Sequence, residues 1–127
     1  MIEIEIAEVR RLGGLPAGVK DEQLEPHIAS AVQKVSAYLR GVLPTNAADI
    51  GRVRLAAASF AIAYALPVLN TFYLSQAEKV PRTVAETDYV FHDPSEVLKL
   101  AAYWEKRGYD ALRDVGRTGG SVGVVVI

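Results

Sequence analysis

Val53-Arg54-Leu55-Ala56-Ala57-Ala58-Ser59-Phe60-Ala61-Ile62-Ala63-Tyr64-Ala65-Leu66-Pro67-Val68-Leu69 is the stretch on which the fold turns. Around and within it, Ile50, Val53, Ala57, Phe60, Ala61, Tyr64 and Leu69 recur at helical spacing. From Leu55 to Ala77 no residue is charged, so this helix has no solvated face and needs cover on nearly all sides. Ala56, Ala57, Ala58, Ala61, Ala63 and Ala65 let neighbouring helices come close. The same run is long enough to cross a bilayer. Ser59, Asn70, Thr71, Ser75 and Gln76, the weak hydrophobicity of alanine and the interruption at Pro67 argue against that. The expectation is a central helix of a single domain, capped by Asn46 and kinked at Pro67, with its pattern resuming through Phe72 and Tyr73.

On the N-terminal side, Ile2, Ile4, Ile6, Val9 and Leu12 pass from a two-residue to a three-residue period, which predicts a short first helix ending at Gly13-Gly14. Leu15-Pro16-Ala17-Gly18 reads as a turn. Asp21 is placed to cap a second helix whose stripe is Leu24, Ile28, Ala31, Val32, Val35, Leu39 and Val42, running to about Leu43. Pro26 means either that its first turn is separate or that the regular helix begins near Glu25.

On the C-terminal side, residues 80–92 read as a long loop or a short hairpin, with strand character at Tyr89-Val90-Phe91. Asp93-Pro94-Ser95-Glu96 is a helix start: a capping Asp, Pro in the first helical position, and Glu three residues after the cap. Val97, Leu100, Ala101, Trp104 and Leu112 form the stripe of this last helix, which fades near Val115-Gly116. The fold class is therefore all-α: a bundle of about four helices around a long central one, occupying residues 1–118, with an extended tail over 119–127.

That tail, Gly119-Gly120-Ser121-Val122-Gly123-Val124-Val125-Val126-Ile127, is β-branched and uncharged. An isolated strand leaves its backbone groups without partners. Strand addition to a partner, docking as an edge strand on the Tyr89 region of its own chain, and disorder are the alternatives, the first being favoured.

The chain has 127 residues and no cysteine, which removes disulfides, thiolate metal sites and a cysteine nucleophile. Fourteen Lys and Arg against fifteen Asp and Glu give a net charge of -1, so there is no general attraction to nucleic acid or anionic membrane. The N-terminal residues have no basic stretch followed by an apolar one, so no secretory signal is expected. His27 and His92 lie on different elements without metal-binding spacing, and Glu3, Glu5, Glu8, Glu22 and Glu25 read as solvated carboxylates. Neither Gly13-Gly14 nor the glycines from 116 to 120 open a phosphate loop. The expectation is no enzymatic activity, no catalytic residue, no metal and no cofactor. Tyr103 and Tyr109 stand out as candidate exposed contact residues, joined by Ser121, Val122, Gly123, Val124, Val125, Val126 and Ile127 of the tail.

The order of these pieces carries a resemblance. A short leading helix precedes Asp21-Glu22-Gln23-Leu24 at the start of a long helix. Val53-Arg54-Leu55-Ala56 then opens an alanine-rich helix, followed by a loop with Glu86-Thr87-Asp88-Tyr89 and a final helix. Over roughly residues 1 to 115 this resembles the head-tail connector adaptors (head completion proteins) of tailed bacteriophages and related prophages. Pro67 and the apolar tail depart from the pattern. The resemblance implies a structural protein of the virion, assembled in the host cytoplasm at the head-tail interface. It implies a ring of copies, commonly twelve-fold, beneath the portal protein, meeting a stopper or tail protein. Genomic DNA would pass through the channel without sequence-specific binding, and no membrane is involved. The tail would then engage the portal or a neighbouring subunit. A small helical DNA-binding regulator that dimerises is the alternative, and it would require basic charge gathered on one exposed helix face.

Overall fold

Helix α1 (Ile6–Gly13), α2 (Asp21–Tyr38), α3 (Ala47–Lys79) and α4 (Pro94–Arg113) follow one another in the computed structural model, which describes residues 2–15, 18–79 and 94–116. The protein is all-α, and no strand occurs among the described residues. Helix α3 is the axis: α4 and α2 pack along it and α1 crosses its first half. Both long neighbours run antiparallel to α3. Leu24, early in α2, clusters with Ala65 and Leu69, whereas Lys34 lies over Phe60. Gly108 of α4 abuts Phe60, and Gly116 bonds to Asp49 at the start of α3.

The unbroken apolar surface of α3 is used as its sequence demands. Ala56, Ala57, Phe60, Ala61 and Ile62 are essentially fully buried, joined by Val9 of α1, Ala31 and Val35 of α2, and Val97, Trp104 and Leu112 of α4. Within the segment Ala47–Asn70, long and apolar enough to cross a membrane, 72 % of the most apolar 18-residue stretch is buried in this fold, so neighbouring helices cover it. Close approach is greatest at Gly108, where a Cβ atom would lie 2.6 Å from Cε1 of Phe60. Only a residue without a side chain lets α4 sit this near to α3. Helix α3 is continuous across Pro67, as the resumed pattern predicted. The carbonyl of Ala63 forgoes its usual donor there, because proline has no N–H.

The first helix stops where expected. Gly14 is left-handed (φ 63°), and the Leu15 N–H reaches back to the Arg10 carbonyl at 3.0 Å, closing the helix end. Asn46 caps α3 as predicted: its Oδ1 accepts from the Asp49 N–H at 2.8 Å. Three expectations are corrected. Asp21 is the first residue of α2 rather than its cap, and its carboxylate receives the Arg10 guanidinium at 2.7 Å, tying α1 to α2. Pro26 neither separates the first turn nor delays the helix, because α2 runs through it unbroken. And α2 ends at Tyr38, not near Leu43. Arg40 and Gly41 both turn left-handed, and the Gly41 N–H closes on the Ser36 carbonyl at 3.1 Å. Val42 is consequently 72 % exposed instead of extending the buried stripe. The anticipated hairpin around Tyr89, the cap at Asp93 and the tail from 119 lie outside the described residues.

Candidate partner-binding surface

Tyr103 and Tyr109 are both exposed on α4, as expected, but the helix separates them. Residues three, four or seven apart share a helix face, and residues six apart do not. Leu100, Tyr103 and Arg107 form one flank of α4. Leu98, Ala102 and Tyr109 form the other, and the buried stripe of Val97, Trp104, Gly108 and Leu112 lies between them. Leu98 at 63 % and Tyr103 at 52 % are among the most exposed large apolar side chains on the molecule.

Each tyrosine is held in place by its neighbours. Tyr103 meets the Trp104 ring edge-on, with centroids 5.4 Å apart, and the Arg107 guanidinium lies over both rings, 4.9 Å from the centre of Trp104. Tyr109 packs edge-on against Phe60 at 5.1 Å, and the Lys34 ammonium sits 4.9 Å from the Tyr109 ring centre and 5.2 Å from that of Phe60. Hydrogen bonding to Tyr109 holds the Lys34 ammonium above its ordinary pKa, so it stays charged over the aromatic pair. An aromatic held rigid, with a cation stacked on it, loses little freedom on contact with another surface.

A second exposed apolar region lies at the end of the bundle where α3 begins. Ile2, Leu43, Pro44, Ile50 and Val53 line a cleft of about 180 Å³ with Glu3 and Arg54 at its rim. Ile50, an apolar position of α3 by spacing, is 36 % exposed, and Leu100, expected in the buried stripe of α4, is 37 % exposed. Sequence reasoning missed this cleft. Its one local signal is the adjacent pair Val42-Leu43 immediately after a glycine, a position from which the helix could not continue.

Beside the cleft, Asp49 is 3 % exposed and gathers three donors. Its Oδ2 accepts from Asn46 Nδ2 at 2.9 Å and from the Gly116 N–H at 3.0 Å, and its Oδ1 accepts from Arg52 at 2.8 Å. The Asn46 hydrogen bond, with those of Gly116 and Arg52, holds this carboxyl below the usual carboxylate range. This is a structural clamp joining the beginning of α3 to the end of α4. Charge elsewhere is also locally paired. Asp110 accepts from Lys106 at 3.2 Å and from Arg113.

His27 is half-buried on α2, where desolvation lowers its pKa. No group of three metal-ligating side chains occurs among the described residues. His92 and the tail residues Ser121, Val122, Gly123, Val124, Val125, Val126 and Ile127 lie outside them. In comparisons with protein-family models, curated proteins and solved structures, nothing matches this chain.

Proposed function

We propose that this protein is a structural, non-enzymatic assembly component: a head-tail connector adaptor whose copies form a ring beneath a portal protein, extend the DNA channel and join head to tail. The observation that carries the reading is the pair of unlike aromatic and apolar patches on opposite flanks of α4. A closed ring of identical subunits needs two different surfaces per subunit, each meeting the other on the next copy, whereas a two-fold dimer needs one self-complementary patch. Leu100, Tyr103 and Arg107 supply one such surface, and Leu98, Ala102 and Tyr109 the other. Helix order adds support through the resemblance to phage adaptors. The local pairing of Arg10, Arg52, Lys106 and Arg113 with carboxylates suits a wall past which DNA slides, since it weakens contacts that would hold phosphates.

The test is solution mass by light scattering, alone and with the cognate portal ring, for the full chain and for the Tyr103→Ala variant. The expected result is portal-dependent association that the variant loses while retaining its helical signal. A full chain that ignores the portal and shifts a DNA duplex at physiological salt would transfer the assignment to a regulator.

A further inference from the structure

We propose that the cleft at the start of α3 is the docking site of this chain's own C-terminal segment, residues 121–127, which adds as a strand along residues 2–5. The proposal concerns how the free chain disposes of its tail and stands whether or not the connector reading does.

Four observations converge on this occupant. The first is position. The last described residue, Gly116, is fastened by its N–H to Asp49, which immediately precedes Ile50 and lies one helical turn before Val53, both of them lining the cleft. The chain is therefore delivered to the rim of the cleft. The four residues 117–120 span up to about 13 Å and the segment to Ile127 about 35 Å, against about 5 Å for the helical turn between Asp49 and Val53. The second is chemistry. Residues 118–127 carry no charged side chain, and alternate positions Val122, Val124 and Val126 give a strand one wholly β-branched face. The walls are Ile2, Leu43, Pro44, Ile50 and Val53.

The third is charge. The rim holds one residue of each sign, Glu3 and Arg54, so it prefers neither an acidic nor a basic peptide. The fourth is the backbone beside the cleft. Residues 2–5 alternate between buried or half-buried Ile2 and Ile4 and exposed Glu3 and Glu5, and Glu5 has extended angles (φ -82°, ψ 140°). Among the described residues they pair with no strand. An extended segment beside an apolar trough is the arrangement that strand addition uses. Tethering through residues 117–120 raises the local concentration of the tail to about the millimolar range, which favours this occupant over a free competitor.

The experiment compares three full-length chains: wild type, Val124→Asp in the tail and Ile50→Asp in the cleft. Ile50 is partly exposed and Val124 lies outside the described residues, and a circular-dichroism check of helicity accompanies both variants. A fluorescent peptide of residues 117–127 is titrated against each by anisotropy, and amide exchange is followed at residues 3–5. The peptide is expected to bind the Val124→Asp chain, whose cleft is vacated, at least about tenfold more tightly than wild type or Ile50→Asp. Amides 3–5 should exchange at least about tenfold faster in both variants than in wild type. Equal peptide binding to wild type and Val124→Asp, or unchanged exchange at residues 3–5, would overturn the proposal. So would a wild-type mass that doubles with concentration and is halved by Val124→Asp, since the cleft would then hold a second copy's tail.

Discussion

At the level of single residues, the bundle depends on what is missing from Gly108. The Phe60 ring fills the space a side chain would need, with three ring carbons within 2.9 Å of the would-be Cβ, and Phe60 is fully buried and cannot swing aside. Alanine is the better helix former, yet here overpacking outweighs propensity. Gly108→Ala is expected to lower unfolding stability by about 1–2 kcal/mol, read from urea denaturation. Ser59 presents the reverse case. It is fully buried in α3 and its hydroxyl has no partner among the described residues. Replacing it with alanine removes an unsatisfied group and improves helix propensity, so Ser59→Ala should raise stability by about 1 kcal/mol in the same assay. In sequence, neither position differs from an ordinary helical glycine or serine. What sets each apart is the helix lying opposite.

At the level of elements, spacing read well wherever one helix face decides the matter. The burial of α3 from Ala56 to Leu66 follows from its uncharged run, the stop of α1 from Gly13-Gly14, and the start of α4 from Asp93-Pro94-Ser95-Glu96. The end of α2 did not read, because Val42 and Leu43 continue the apolar spacing beyond Gly41, and the left-handed turn at Arg40 and Gly41 prevails over that spacing. The cleft was illegible for a related reason: its walls come from residues 2–3, 43–44 and 50–54, which no single periodicity links. Exposed tyrosines on α4 were foreseen, but their placement on opposite flanks follows from counting residues along the helix. Tyr103→Ala removes a half-exposed ring, its edge-on contact with Trp104 and a stacked guanidinium, so its unfolding midpoint should correspond to a loss of no more than about 1 kcal/mol. A larger loss would show that the ring supports the fold rather than a contact.

Across the whole molecule, acid should weaken the fold in two steps. Burial depresses the pKa of His27, so the unfolded chain takes up protons first as pH falls below about 6.5. The contribution of His27 is complete above that value and is lost on descent towards the lower folded pKa. Asp49 is held low by Asn46, Gly116 and Arg52, and Asp110 by Lys106 and Arg113. For both, stability is fully present above about pH 4 and is lost as pH drops through their depressed folded values. Thermal melts from pH 8 to pH 2 should therefore show a shallow decline and then a steeper one. His27→Gln should flatten the first step and Asp49→Asn should diminish the second. A first step unchanged in His27→Gln, or a second step undiminished in Asp49→Asn, would assign that step to other groups.

The bond between Asp49 and Gly116 also bears on the order in which the helices must be strung together. Ile2 lines the cleft with Ile50 and Val53, and Gly116 is fixed one residue before Ile50, so the two extremities of the described bundle meet at the same end of α3. A short covalent bridge between them would close a small loop at little entropic cost. The backbone could then be opened at the exposed Gly41 turn, giving a permuted gene in which α3 is translated first and α2 last. The packing of α3 on its three neighbours requires their presence and not their order of synthesis, so the rearranged chain should reach the same bundle, with the long apolar helix emerging from the ribosome before any helix that covers it.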